Sequence, residues 1–184
     1  MEDEEFERVC RTLDARVPDP RIGLPQDVFL MLSRFVPLVN VDLLIRDDTD
    51  RALLTWRDDE FDGPGWHVPG GIIRYKETAE ERVRATALNE LGVDVEFDPT
   101  PVSVQQTIVP ERAERGHFVS LGYRCRLRGA PRESLRFISG SPERGQWAWL
   151  DRCPTTLLAI QDCYREFLWQ NPHPHPVFGS TKLS

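Results

Sequence analysis

Apolar residues recur at helical spacing near both ends of the chain and at strand spacing between them. In residues 2–16, Phe6, Val9 and Leu13 fall on one side of a helix, which the prolines of segment 17–25 terminate. A second helix begins near Pro25 with Val28, Leu32 and Phe35 on its apolar side, and Pro37 marks entry into the strand LVNVDLLIRD. Asp47 to Asp50 reads as the turn of a hairpin whose second strand is RALLTWR, followed by a polar loop from Asp58 to Gly65. Beyond GWHVPGG the pattern predicts a helix from about Thr78 to Leu91, stopped by Gly92, then strands around 93–109 and 117–128 joined by Arg112 to Gly116. A short strand near 135–138, a loop over 139–146, the strand QWAWL and a final helix over about 154–169 follow; the closing NPHPHPVFGSTKLS is too rich in proline for helix or strand. Strands interleaved with one central and one C-terminal helix predict the α/β class, an α/β/α sandwich around a mixed β-sheet.

Length and charge narrow this picture. A chain of 184 residues supports one well-buried core, so the expected organisation is an N-terminal helical extension over 1–24, one domain over 25–170 and a Pro-rich tail over 171–184. A composition of 40% hydrophobic and 29% charged residues is that of a globular protein and gives general disorder no support. The net charge of −7 repels a phosphate backbone, so DNA and RNA are not expected partners. A small nucleotide remains admissible, because a metal ion and a few arginines reverse the sign inside a pocket. The start, MEDEEFERVC, is acidic where a signal peptide is basic and then apolar, and no apolar run has the length of a membrane span; a cytoplasmic location without membrane contact is expected. Cys10, Cys125, Cys153 and Cys163 are widely spaced and form no C-x-x-C pair, which reads as free thiols.

Candidate chemistry concentrates in GWHVPGGIIRYKETAEERVRATALNELGV, residues 65–93. Gly70 and Gly71 let backbone approach a ligand, and a carbonyl turned inward there can ligate a hard cation; alone, Pro-Gly-Gly reads equally as a tight turn. In the helix that follows, Ala79, Val83, Ala87 and Leu91 form an apolar stripe, and Glu90 projects close to its middle. A carboxylate facing a core must be paired or bound to metal. Glu77, Glu81 and Arg84 lie elsewhere, where charge pairing on a solvated face is the ordinary explanation.

This stretch resembles the Nudix box, with matches at Gly71, Glu77, Ala87, Glu90, Gly92 and Val93. It departs from the box at Ala85, Thr86 and Asn89, which stand where the family has arginine and two glutamates. One branch of the family, the GDP-mannose mannosyl hydrolases, also lacks those acids and keeps the last, and the likeness to it runs from about Leu24 to Leu150 through LPQDVF, PLVNVDLLI, LLTWR, GWHVPGG and ELG. The resemblance implies a Mg²⁺ ion held by the Gly70 carbonyl, by Glu90 and by a residue of the loop before QWAWL, where the matching position is Glu143; a solvated loop acid is the other reading of Glu143. It also implies a homodimer, with the N-terminal segments as the contact. Arg57 matches a substrate-contacting arginine of the branch, and Arg74 stands near an arginine that the branch carries at the position of Ile72.

The reaction implied is inverting attack at the anomeric carbon of a nucleotide sugar, releasing sugar and nucleoside diphosphate. The branch's base is a histidine whose matching position here is Arg144, a residue that accepts no proton. Glu143, His67 and His117 stay open for that role, His117 also as a substrate contact, with a structural role the plainer reading of His67. Two further functions are carried forward: a pyrophosphohydrolase of nucleotides or nucleotide sugars, and a non-catalytic nucleotide-binding domain.

Overall fold

A computed structural model describes residues 2–170 and 177–183. Its elements are the helices α1 (Glu2–Arg16), α2 (Gln26–Leu32) and α3 (Ala79–Leu91) and nine strands. The strands are β1 (Leu38–Ile45), β2 (Ala52–Arg57), β3 (Gly65–His67), β4 (Gly70–Ile72), β5 (Val95–Phe97), β6 (Ser103–Ile108), β7 (His117–Leu127), β8 (Trp147–Leu150) and β9 (Val177–Lys182).

Six strands form one mixed sheet in the order β4-β1-β7-β6-β9, with β5 also on β7; β1 and β7 run parallel, as do β6 and β9, and the other pairs are antiparallel. A second, antiparallel sheet has the order β3-β2-β8. Alternation along β1 sends Val41, Leu43 and Ile45 into a core shared with Val83, Ala87 and Leu91 of α3, whereas Leu44 joins Trp66, Tyr164, Phe167 and Leu168 on the other side. Helical elements thus cover both faces of a mixed sheet, the expected α/β/α sandwich.

α3 shows why its boundaries were legible. Thr78 and Glu81 exchange side chain-to-backbone bonds in a capping box, and Gly92 closes the helix at φ 72°.

Several expectations are corrected. The Asp47–Asp50 turn forms, with the Asp47 carboxylate accepting from the N–H groups of Thr49 and Arg51, but no two-strand hairpin follows. β1 and β2 share one bridge, Arg46 with Ala52, and then part into different sheets. The strand expected over 93–109 is divided into β5 and β6, since Pro99 and Pro101 cannot donate to a ladder. Near 135–138 there is a 3₁₀ turn, Glu133–Leu135, and a single bridge from Arg136 to Trp147.

The final helix is replaced by a 3₁₀ segment, Ala159–Tyr164, and a π-type segment, Glu166–Gln170. Its expected first turns instead run beside β3, where Trp66 N–H donates to the Thr156 carbonyl and Leu158 N–H to the Trp66 carbonyl. Within the tail, residues 171–176 lie outside the described residues, and Val177–Lys182 is a strand parallel to β6. Phe6 and Val9 of α1 are exposed, and Phe35 lies exposed beyond the end of α2.

Candidate active site

The two sheets and α3 enclose a cleft of about 540 Å³. Into it β1 places Asp42, β2 places Thr55 and Arg57, β3 places His67, β4 places Gly70, and the last turn of α3 places Glu90.

Glu90 is held from two elements. Gly70 N–H donates to Oε1 at 3.1 Å and Thr55 Oγ1 donates to Oε2 at 3.1 Å. Burial, and the nearby Asp42 charge, push its carboxyl up to about 7. Gly70 pairs with Asp42 across the β4–β1 ladder, and a Cβ at Gly70 would stand 2.5 Å from Asp42 Oδ1. Only a glycine therefore lets the strand lie against that acid. Asp42 is buried, accepts from Tyr164 Oη at 2.6 Å and from Asn40 Nδ2 at 2.9 Å, and burial raises it to about 6.

His67 Nε2 lies 3.1 Å from Thr55 Oγ1. Because that hydroxyl gives its hydrogen to Glu90, it accepts from His67, so Nε2 carries the proton. Burial and then the Arg57 charge lower His67 to about 4, which keeps the ring neutral.

Arg57 is anchored by two acids, with Nε donating to Asp59 Oδ2 at 2.7 Å and Nη2 lying 3.3 Å from Asp62 Oδ2. Arg112 pairs with the other oxygen of Asp62 at 2.9 Å. Arg115 packs over the rings of Phe61 and Phe29, its guanidinium carbon 4.7 Å and 6.0 Å from their centroids.

Gly70, Glu90, Arg57 and Arg74 are thus brought to one cleft, with Arg74 exposed on its wall. Glu143 and His117 are not among its lining residues. Gly145 N–H bonds the Trp56 carbonyl at 2.9 Å and Gln146 Oε1 accepts from Glu143 N–H at 2.9 Å. This turn leaves Glu143 exposed and sets Arg144 and Gly145 on the cleft wall. His117 sits at the start of β7 with Nε2 2.9 Å from Gln106 Nε2. Glu77 is not on a solvated face: both its oxygens accept from Arg82, at 2.7 and 2.8 Å, and Arg82 is buried.

Sequence reasoning missed Asp42, Thr55, Arg82, Arg115 and Tyr164. A signal existed for Asp42, the lone acid in LVNVDLLI, by the same rule that singled out Glu90. For Tyr164 and Arg115 no local pattern marks the residue.

A divalent cation would need hard oxygen donors here, and among the described residues no group of three or more His, Cys, Asp or Glu is arranged to hold a metal. Mg²⁺ retains several waters and needs only one or two carboxylates from the protein. Glu90 supplies one. Leu43 N–H bonds the Pro69 carbonyl and Ile73 N–H the Val39 carbonyl, so alternation turns both polar groups of Gly70 away from β1, to the side where its N–H meets Glu90. Asp42 and Glu90 are buried acids whose charges disfavour each other despite the nearby Arg57, and a cation beside them would relieve that. The residues present fit Mg²⁺.

A family model described as the NUDIX domain matches residues 36–152. The chain is 38% identical over 79 residues to the Low-salt glycan biosynthesis protein Agl8 of Haloferax volcanii, which covers 43% of this chain and 50% of that protein, so the chain spans about half the length of this curated relative. The fold resembles a NUDIX hydrolase from Nitrosomonas europaea at TM-score 0.60 and 17% identity, covering 80% of each chain. It also resembles a MutT NUDIX hydrolase from Burkholderia pseudomallei at TM-score 0.57 and 26% identity, covering 71% of this chain and 97% of that one.

Proposed function

Because the chain belongs to the Nudix hydrolase family, we propose that it is a Mg²⁺-dependent hydrolase of nucleoside diphosphate sugars, of the GDP-mannose mannosyl hydrolase type. In this reading water attacks the anomeric carbon with inversion, the bond from that carbon to the diphosphate oxygen breaks, and sugar and intact nucleoside diphosphate leave.

The observation that carries the reading is the acid inventory of α3. Glu90 is the one carboxylate of that helix in the cleft lining, while Thr86 is buried against Gly71 and Asn89 is exposed. One cation suits charge accumulating on a departing diphosphate, whereas attack at phosphorus is commonly served by paired metals. The relative's name as a glycan biosynthesis protein supports a sugar-bearing substrate.

Mg²⁺, held by Glu90 and the Gly70 carbonyl, would neutralise charge on the leaving group. Thr55 and His67 orient the Glu90 carboxylate from behind, the neutral His67 donating to Thr55 and Thr55 to Glu90. Arg57, fixed by Asp59 and Asp62, presents the remaining face of its planar guanidinium to the diphosphate, and Arg74 adds charge at the wall. The reading assigns the base to Asp42, whose carboxyl lies in the cleft with a proton affinity close to neutrality, and the attacking water's proton passes to it. Arg144 cannot take that role, and Glu143 and His117 have no part in it. A homodimer belongs to the same reading, with the exposed Phe6 and Val9 of α1 as its apolar contact.

Incubation with a panel of nucleotide sugars and Mg²⁺ in ¹⁸O-labelled water, followed by mass spectrometry, tests the reaction. Label in the free sugar is expected. Label in a phosphate product would establish pyrophosphohydrolysis instead, and binding without turnover of any substrate would leave a non-catalytic nucleotide-binding domain.

A further inference from the structure

Beside the Glu90 centre lies a second charged cluster that the reaction above does not use in full. Arg57, Arg112 and Arg115 gather with Asp59 and Asp62, the acids that ion-pair with this cluster among the described residues. Both acids are already engaged. Asp59 accepts from Arg57 and from the N–H groups of Phe61 and Asp62, and the two oxygens of Asp62 go to Arg57 and Arg112. Arg115 is therefore the surplus cation.

Its surroundings make that surplus costly. Among the described residues Arg115 has no ion pair, and its Nε is buried with no hydrogen-bond partner. The side chain is clamped between Phe61 and Phe29, and its backbone N–H is fixed at 3.0 Å on Ser33 Oγ, with φ at 51°. Aromatic faces compensate a guanidinium only in part, and a half-buried unpaired cation destabilises a fold unless a ligand completes it. Arg115 nevertheless lines the same cleft as Arg57 and Glu90. The missing partner is an anion that enters from that cleft.

We propose that Arg115 is a substrate-binding residue, which with Arg57 grips the diphosphate of the nucleotide and so selects diphosphate-bearing ligands over phosphate-free ones. This rests on the reading that the cleft takes a nucleoside diphosphate sugar. The segment carrying Arg115 is joined to the Arg57 loop through Arg112, whose Nη2 donates to the Phe61 carbonyl at 2.6 Å, so diphosphate bound by one arginine is registered against the other.

Calorimetric titration of the full chain in Mg²⁺ buffer with GDP, UDP and inorganic pyrophosphate, and with guanosine and mannose as phosphate-free controls, tests the assignment. Arg115→Gln is expected to weaken every diphosphate ligand about ten- to a hundredfold, the range for losing a charge-assisted hydrogen bond, and to leave the controls unchanged. Arg115→Lys, which retains charge without the planar fork, is expected to fall between the two and serves if Arg115→Gln does not fold. The melting temperature of the ligand-free protein is expected to change little in Arg115→Gln, since the ring contacts that are lost are offset by removal of an unpaired, half-buried charge. Equal diphosphate affinity in wild type and variant overturns the assignment and makes Arg115 a strut between two rings, with the hydrolase reading intact. A wild type that binds no diphosphate overturns both. Loss of diphosphate binding in Arg115→Gln from a wild type that hydrolyses no nucleotide sugar sinks the hydrolase reading and leaves Arg115 as proposed.

Discussion

Gly70 donates its N–H to Glu90 Oε1 at 3.1 Å, joining the sheet-edge strand β4 to the last turn of α3 across 20 positions of sequence. The bond fixes the carboxylate where strand alternation also turns the Gly70 carbonyl. The carbonyl of a strand end and the carboxylate of a helix end thereby lie on one side of β4, where the proposed function would use both as oxygen donors to a hard cation.

Glu90→Gln is expected to lower Mg²⁺-dependent turnover by about a hundredfold or more while the fold survives, because the amide keeps the shape but loses the ligand charge. Steady-state kinetics over a Mg²⁺ series, with melting curves as control, checks this. Unchanged activity would place the metal site elsewhere.

Asp42→Asn is expected to reduce kcat by about 10² to 10⁴, the range for losing a positioned general base, with KM little altered. A variant of wild-type kcat would return the base to the open candidates.

Gly71 is packed under α3, where an added Cβ would strike Thr86 Oγ1 and Arg82 Cδ. Gly71→Ala is expected to destabilise by about 1–3 kcal/mol through overpacking. Thr86→Ala should be nearly neutral, since Thr86 Oγ1 is buried without a partner. In the double variant the smaller residue makes room, so denaturant melts should show the two changes costing less together than their sum.

His67 supplies a pH signature of stability. Its folded-state value, about 4, lies below the ordinary 6.5, so between these values the unfolded chain binds the extra proton. The neutral ring's contribution is complete above about pH 6.5 and is lost as pH falls toward 4, with a slope of at most about 1.4 kcal/mol per pH unit. Urea melts from pH 7 to 4.5 should show His67→Asn losing less stability than wild type over this window. Parallel pH profiles would refute a buried neutral His67.

The sequence by itself determined α3 and the Glu90 position, because a capping box, an apolar stripe at helical spacing and a closing glycine are all local signals within residues 78–92. The order of elements, strands interleaved with a central helix and a further helical segment, determined the layered α/β class in the same way. What only the tertiary structure decided were relations between distant segments. The divergence of β1 and β2 into two sheets depends on what each strand pairs with, and the Asp47 turn is compatible with either outcome. The C-terminal helix gave way because β3 competes for the backbone groups of residues 156–158. Glu143 and Arg144 are neighbours in the chain, and only the bonds of Gly145 and Gln146 decide which of them reaches the cleft. Asp42, Thr55, His67 and Tyr164 acquire their roles through hydrogen bonds that span 12 to 122 positions, which no local period encodes.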